Sequence, residues 1–134
     1  MDKLVFIIDD DQVYLNFMKG HFRQMGGYQV EVYAKGDLAL KELETRIPFM
    51  IILDHNLADV EKDGIYFLKK IRKMNSNVPI LYITSDSTEE VRGLASKYGA
   101  RSLIVKSESF LVQLRTAIDE ISAPKKGLFA KIFK

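Results

Sequence analysis

The sequence predicts a doubly wound α/β domain, in which five β-strands alternate with five α-helices along 134 residues. Short runs rich in β-branched and aromatic residues are separated by longer stretches whose apolar residues recur at helical spacing. Three of the short runs are apolar throughout, which is typical of strands that are buried on both faces of a sheet. Regular alternation of strand and helix indicates a parallel sheet with helices on both sides.

The predicted strands and helices follow one another without a gap in the pattern. The five strands cover residues 4–8, 28–33, 49–53, 80–84 and 102–105. The five helices are marked by apolar residues at helical spacing. These residues are Val13, Phe17 and Met18, then Leu38, Leu40 and Leu43, then Ile65, Leu68 and Ile71, then Val91, Leu94 and Ala95, and finally Phe110, Leu114, Ala117 and Ile121.

Capping residues separate these elements. Asp11 is expected to cap the first helix and Ser87 the fourth, because their side chains can accept hydrogen bonds from the free N–H groups of a helix start. Gly99 stands where the fourth helix should end, since glycine readily adopts the left-handed conformation of a C-terminal cap. No repeat or linker interrupts the pattern before about residue 123, so we expect one domain over residues 1–122.

Composition narrows the class of protein. Hydrophobic residues make up 47% of the chain, which is enough for one ordinary core. The chain has no cysteine, so disulfides and thiolate chemistry are excluded, as suits a reducing compartment. The first apolar run, residues 4–8, is too short for a signal peptide or a membrane span. We therefore expect a cytoplasmic protein.

The net charge of +2 conceals a basic C-terminal tail at residues 123–134. Residues 125–134 hold four of the 20 basic residues and no acidic one, so 16 basic residues face 18 acidic ones elsewhere. A body of net charge −2 argues against nucleic-acid binding. The tail also places four large apolar side chains on one helical face, Leu128, Phe129, Ile132 and Phe133. It could contact a membrane or partner, pack on the domain, or fray.

Polar residues stand at the C-terminal ends of four of the five predicted strands. Asp9 and Asp10 end the first strand, Asp54 the third, Thr84 the fourth and Lys106 the fifth. Open α/β sheets bind ligands outside these ends, at the point where the strand order reverses. In a sheet of order 2-1-3-4-5 that point lies between strands one and three. Asp9, Asp10 and Asp54 would then converge.

Such a convergence of carboxylates needs a cation. Two carboxylates about 4 Å apart repel by roughly 4 kcal/mol at an effective dielectric constant near 20. Oxygen ligands without nitrogen or sulfur favour Mg²⁺ over zinc. Lys106 would supply a second positive charge and Thr84 a hydroxyl donor. Because a metal and a lysine can neutralise transferring oxygens, the set suits phosphoryl transfer to an aspartate nucleophile, Asp54.

The polar residues lie in four characteristic strings. These are FIIDDD at residues 6–11, IILDHN at residues 51–56, YITS at residues 82–85 and LIVK at residues 103–106. In this combination the sequence resembles the receiver domain of two-component response regulators, over residues 3 to about 122. The resemblance is to stand-alone receivers of the chemotaxis-regulator type, and it implies a (βα)₅ flavodoxin-like fold.

The resemblance implies roles for individual residues. Asp54 would be the phosphoacceptor, and Asp9 and Asp10 would bind Mg²⁺ together with it and with the main-chain carbonyl of Asn56. The residue two positions after the acceptor, Asn56, tunes the lifetime of the phosphorylated state in this family, as does the second residue after the threonine, Asp86. Both are polar and able to orient water, so we expect a short-lived phosphoaspartate.

The resemblance also implies how the signal is transmitted. Thr84 would hydrogen-bond the phosphoryl group and carry the conformational signal, while Lys106 would form an ion pair with the phosphoryl group. Leu103 stands where these domains usually have a switch aromatic, and Ser107 replaces a proline that commonly follows a cis peptide bond. The loop at residues 57–64 lacks its usual proline and is about two residues longer than usual. The usual coupling of threonine and aromatic ring therefore cannot operate unchanged.

Partners follow from the same resemblance. A histidine kinase or a histidine phosphotransfer protein would donate the phosphate, and an unknown protein would receive the signal in a phosphorelay or by direct contact. With about a dozen residues after the fifth helix, we expect no output domain, and the protein would be a monomer or a phosphorylation-dependent dimer. It would catalyse at most its own phosphorylation and dephosphorylation.

Three alternatives remain open at this stage. A phosphate-independent receiver-like scaffold is compatible with Leu103 and Ser107. A small Mg²⁺-dependent aspartyl phosphohydrolase usually needs a second aspartate two residues after the nucleophile, where this chain has Asn56. A flavin-binding module needs a phosphate-binding loop after the first strand, where three aspartates would repel the phosphate.

Overall fold

The computed structural model of the protein describes residues 2–58 and 61–123. The chain alternates strands and helices throughout: β1 (Lys3–Ile8), α1 (Gln12–Met25), β2 (Tyr28–Tyr33), α2 (Gly36–Leu43), β3 (Met50–Asp54), α3 (Gly64–Met74), β4 (Ile80–Thr84), α4 (Glu89–Lys97), β5 (Ser102–Val105) and α5 (Phe110–Ser122). Among these residues, no helix has the length and hydrophobicity needed to cross a membrane. The expected amphipathic tail lies outside the described residues, apart from Ala123.

The strands form one parallel sheet of order β2-β1-β3-β4-β5, as the sequence predicts. Strand β1 pairs with both β2 and β3, so the order reverses between β1 and β3. The register aligns the C-terminal ends of neighbouring strands, with Asp54 opposite Ile83 and Thr84 opposite Val105. The loops that leave these ends therefore meet at one edge of the sheet.

Two apolar layers cover the sheet, one on each face. Because side chains alternate across a strand, Val5 and Ile7 of β1 enter the layer under α1 and α5, while Phe6 and Ile8 enter the other. The second layer is completed by α2, α3 and α4. Strands β3 and β4 are buried along their whole length, which explains why they lack the polar alternation of a half-exposed strand.

Capping of the helices agrees with the sequence at two of three positions. The Asp11 carboxylate accepts hydrogen bonds from the first N–H groups of α1, as predicted. Gly99 follows the end of α4 with φ +92°, which a glycine adopts at no steric cost. The prediction for Ser87 is wrong: α4 begins at Glu89, and the hydroxyl of Thr88 accepts the capping bond. Both hydroxyl residues are competent caps, so the sequence alone does not distinguish them.

Candidate functional site

Four loops meet at the C-terminal edge of the sheet, and each contributes polar side chains. Asp9 follows β1, Asp54 ends β3, and Thr84 ends β4; all three are buried. Among the described residues, these three are the polar and charged residues that are buried over the whole residue. Burying charged and hydroxyl groups costs free energy unless they are paired. Proteins keep such groups mainly where function needs them, so their position marks a site.

Lys106, the residue after β5, extends its ammonium group into this cluster. The ammonium nitrogen lies 3.2 Å from Asp9 Oδ2 and 3.4 Å from Asp54 Oδ1, and its side chain is 6% exposed. A third carboxylate, that of Asp11, lies 3.9 Å away. The Lys106 backbone N–H donates to the carbonyl of Thr84, which continues the β4–β5 pairing and directs the side chain into the site. The structure thus brings Lys106 and Asp54 together across the width of three strands.

The carboxylates of Asp9, Asp10 and Asp54 are close enough to hold one metal ion. Each offers an oxygen, and these oxygens lie within 4.8 Å of one another. Asp9 and Asp54 are buried, while Asp10 is exposed. Both oxygens of Asp54 and one of Asp9 are buried without a hydrogen-bond partner. Three carboxylates against one ammonium leave excess negative charge, so the residues fit a hard divalent cation with oxygen ligands.

The electrostatics of the site centre on Asp54. Burial raises the pKa of its carboxyl to about 7, and the negative charge of Asp9 adds to this, while Lys106 acts in the opposite direction. For Lys106, burial lowers the pKa, but the carboxylates of Asp54 and Asp9 outweigh it, so the net pKa is raised. The lysine therefore stays charged at neutral pH. A cation beside Asp54 would favour its carboxylate form, which further supports the fit of these carboxylates to a divalent metal ion.

The hydroxyl of Thr84 is bonded within its own loop. It donates to the carbonyl of Asp86 at 2.8 Å and accepts from the N–H of the same residue at 3.0 Å. The side-chain amide oxygen of Asn56 accepts hydrogen bonds from the hydroxyl and the N–H of Ser85. The β3–α3 and β4–α4 loops are thereby joined, with Asn56 and Asp86 on either side of the junction.

Leu103 in β5 and Ser107 just after it, the two unusual residues of this region, also have defined positions in the structure. Leu103 is partly buried and packs against the apolar layer under α2, α3 and α4. No peptide bond in residues 2–58 and 61–123 is cis, which includes the bond from Lys106 to Ser107. The lysine thus reaches the carboxylates with a trans bond after it.

Sequence reasoning missed two contacts beside the site. The Tyr14 ring of α1 lies under the Lys106 ammonium. On the opposite face of the sheet, a 2.6 Å hydrogen bond joins the Tyr82 hydroxyl to His55 Nδ1. Burial, followed by the charges of Asp63 and Asp54, raises the pKa of Tyr82, which keeps its hydroxyl protonated. The one available signal is the tyrosine among the aliphatic residues of β4 at positions 80–83.

The fold and the strand-end residues together are those of a family of signalling domains. The sequence matches the response regulator receiver domain over residues 5–119. The chain belongs to this family.

Curated relatives support the same assignment. The transcriptional regulatory protein ZraR of Escherichia coli O157:H7 is 30% identical over 106 residues, which cover 79% of this chain and 23% of ZraR. The alkaline phosphatase synthesis transcriptional regulatory protein PhoP of Bacillus subtilis is also 30% identical, over 79% of this chain and 43% of PhoP. The chain thus spans less than half the length of these relatives.

Solved structures share the fold. A CheY-like response regulator receiver domain protein from Methanospirillum hungatei superimposes with a TM-score of 0.81 at 23% identity, over 95% of this chain and 99% of that one. The chemotaxis protein CheY4 of Vibrio cholerae gives 0.79 at 24% identity, over 90% and 99%. The receiver domain of the sensor histidine kinase PA1611 from Pseudomonas aeruginosa gives 0.78 at 21% identity, over 92% and 100%, and was solved with a magnesium ion in its active-site cleft.

Proposed function

We propose that this protein is a phosphorylation-dependent signalling switch in which Asp54 accepts a phosphoryl group. The observation that carries the proposal is the position of Asp54, whose two buried oxygens lack hydrogen-bond partners while the Lys106 ammonium lies 3.4 Å away. A buried carboxylate without hydrogen bonds is costly for stability even beside one cation, and a role as nucleophile accounts for keeping it.

The transfer needs one oxygen of Asp54 to act as nucleophile. A carboxylate oxygen attacks the phosphorus of a phosphohistidine, a P–O bond forms, and the P–N bond breaks as the imidazole leaves. With a small donor such as acetyl phosphate, acetate leaves instead. Lys106 is placed to form an ion pair with the transferred oxygens, which accumulate negative charge during the reaction.

Mg²⁺ is the proposed cofactor, held by the carboxylates of Asp9, Asp10 and Asp54 and by the main-chain carbonyl of Asn56. When bound, the ion would neutralise charge on the transferring phosphoryl oxygens. Two observations support this choice: the three carboxylates can reach one ion, and the PA1611 receiver holds magnesium in its cleft. The net negative charge of the metal-free cluster also favours binding of a divalent cation.

Thr84 is proposed to transmit the change. Its hydroxyl is bonded to Asp86 in the unphosphorylated protein, so a bond to a phosphoryl group on Asp54 would require it to leave that partner. The loop before α4 would then rearrange. Leu103, in place of an aromatic ring, packs in the layer under this loop and would move with it.

The partners proposed for this switch are a histidine kinase or phosphotransfer protein as donor and an unidentified protein as receiver of the signal, in a cytoplasmic two-component system. ZraR and PhoP are transcriptional regulators, and this chain matches only part of each. We propose no nucleic-acid contact for residues 1–122, whose charge balance is acidic. The basic tail at residues 123–134 is a proposed contact for a membrane or partner.

The decisive experiment is phosphorylation in vitro. The protein is incubated with acetyl phosphate and Mg²⁺, and intact mass spectrometry measures the addition of one phosphate. Asp54→Asn should abolish the adduct, because the amide is not a nucleophile. Asp119→Asn is the matched control, since that exposed carboxylate lies on α5 and pairs with Arg115.

Each other outcome has a defined meaning. No adduct on the wild-type protein would contradict the proposal and favour a phosphate-independent scaffold. An adduct that persists in Asp54→Asn would place the acceptor elsewhere. Continuous release of phosphate from many phosphoesters would favour a hydrolase. We expect the phosphoaspartate to decay within minutes to hours, and a phosphorylated sample that survives overnight at neutral pH would contradict this.

A further inference from the structure

The ammonium of Lys106 has an aromatic neighbour as well as carboxylate neighbours. Its nitrogen lies 4.6 Å from the centroid of the Tyr14 ring, within the range of a cation–π interaction. The ring approaches from α1, on the side of the sheet covered by α1 and α5. Since the Lys106 side chain is almost fully buried, this contact is desolvated, and cation–π contacts are strongest under that condition.

The orientation of the Tyr14 ring is fixed by other aromatic rings. The Phe110 ring packs edge-to-face with Tyr14 at 4.9 Å and 88°, and the Phe17 ring does so at 5.9 Å and 83°. Phe110 is the first residue of α5 and is buried, so Tyr14 bridges the starts of α1 and α5. A ring held by two edge-to-face contacts is a rigid support for a flexible lysine.

We propose that Tyr14 is a positioning residue for Lys106, a role that rests on the proposed function of Asp54. A lysine side chain has several rotatable bonds, and its ammonium is directed only weakly by carboxylates that surround it on several sides. The face of Tyr14 attracts the cation without carrying a charge of its own. It therefore holds the ammonium in the site whether Asp54 is free, bound to a metal ion or phosphorylated.

A packing role for Tyr14 is the competing explanation, because the residue also contacts the apolar layer under α1 and α5. The two explanations differ in their dependence on Lys106. If Tyr14 acts through Lys106, its removal has no effect on phosphorylation once the lysine is gone. If Tyr14 only supports the fold, its removal costs the same with or without the lysine.

The first test is a double-mutant cycle on the rate of phosphorylation by acetyl phosphate with saturating Mg²⁺. Tyr14→Leu should lower the rate by about tenfold to thirtyfold, and the upper figure corresponds to the roughly 2 kcal/mol of a desolvated cation–π contact. Tyr14→Phe retains the ring face and should stay within about twofold of the wild-type rate. In the Lys106→Met background, Tyr14→Leu should have no further effect. Equal losses in both backgrounds, or equal losses for Leu and Phe, would overturn the proposal.

The second test needs no phosphorylation. The ε-methylene protons of Lys106, assigned by comparison with Lys106→Met, should show an upfield ring-current shift in the NMR spectrum of the unphosphorylated protein. The shift should persist in Tyr14→Phe and disappear in Tyr14→Leu. An unshifted Lys106 signal in the wild-type protein would refute the contact. This readout remains decisive if the wild-type protein takes no phosphate, an outcome that would reject the proposed function and not the contact.

Discussion

At the scale of single residues, the carboxyl of Asp54 lies in an unfavourable electrostatic environment. Its carboxyl is buried beside Asp9, and its pKa is raised from 3.8 to about 7 by that burial and by the neighbouring charge. An ordinary structural aspartate would instead be stabilised as a carboxylate by hydrogen bonds. The raised pKa has a direct consequence for the stability of the metal-free protein.

The first prediction concerns the pH dependence of that stability. Because the folded-state pKa of Asp54 lies above its unfolded value, the native state binds the proton more tightly. The contribution of Asp54 to the free energy of unfolding is present below about pH 4 and is lost as pH rises towards about 7. The loss should reach a few kcal/mol, since one pKa unit corresponds to about 1.4 kcal/mol.

Chemical denaturation of the metal-free wild-type protein and of Asp54→Asn, at a series of pH values, measures this contribution. The difference between the two proteins cancels the effects of the other carboxylates, because those groups titrate in both. The variant should gain stability relative to wild type as pH rises. A constant difference across this range would contradict the prediction.

At the scale of secondary-structure elements, the start of α3 packs closely against the end of β3. The backbone N–H of Gly64 donates to the carbonyl of His55, and a Cβ at position 64 would meet the Tyr82 hydroxyl and the Asp54 carbonyl oxygen. Tyr82 in turn bonds His55. The start of α3 is therefore pressed against the end of the strand that carries the acceptor.

The second prediction is that Gly64→Ala destabilises the protein by about 1–3 kcal/mol, because the new methyl group overpacks a site formed mainly by backbone. Gly93→Ala is the matched control. Gly93 lies within α4 with open space where a Cβ would be, so alanine should be neutral or stabilise by up to about 1 kcal/mol. Thermal denaturation of both variants makes the comparison, and equal stability would contradict the packing argument.

The elements also show what sequence reasoning can and cannot supply. Strands at residues 28–33, 80–84 and 102–105 are predicted with correct bounds, because their β-branched and aromatic residues form short runs between turn residues and polar residues. Strand β3 was placed one residue early, since Phe49 is as apolar as its neighbours but precedes the pairing. Strand-end positions likewise predicted which polar residues would meet, because parallel strands end at one edge.

Contacts between side chains of different elements were not predictable in the same way. The contact of Tyr14 with Lys106 depends on how α1 packs against the sheet and on the rotamer of a long side chain. The bond between His55 and Tyr82 depends on the register of β3 against β4. Neither leaves a periodic trace in the sequence. Both are therefore findings of the three-dimensional structure.

At the scale of the whole molecule, the carboxylate cluster of Asp9, Asp10 and Asp54 should make the free energy of unfolding depend on the Mg²⁺ concentration. A ligand that binds the folded state and not the unfolded chain stabilises in proportion to the logarithm of its concentration. The cluster of Asp9, Asp10 and Asp54 exists only when separate strands are assembled, so Mg²⁺ has no comparable site in the unfolded protein.

The third prediction is that millimolar Mg²⁺ raises the melting temperature of the wild-type protein by several degrees near neutral pH. The increase should shrink at acid pH, because protons compete for Asp54. Asp10→Asn should abolish most of the effect with little change in the metal-free melting temperature, since Asp10 is exposed. Asp119→Asn should retain the full effect. An equal response of all three proteins would contradict a site at these carboxylates.

Strand β5 lies at the edge of the sheet, whereas β3 lies inside it. We therefore expect local opening to displace Lys106 more often than the carboxylates of Asp9 and Asp54. Strand β5 has four residues and, within residues 2–58 and 61–123, pairs with β4 alone, whereas β3 lies between β1 and β4 and is wholly buried. Local opening of the edge would withdraw Lys106 while Asp9 and Asp54 stay in place. In native-state hydrogen exchange, the amides of β5 should therefore open at a lower free energy than those of β3. The carboxylates would then outlast the lysine in each such fluctuation, so local opening removes the positive charge of the site before its negative charges.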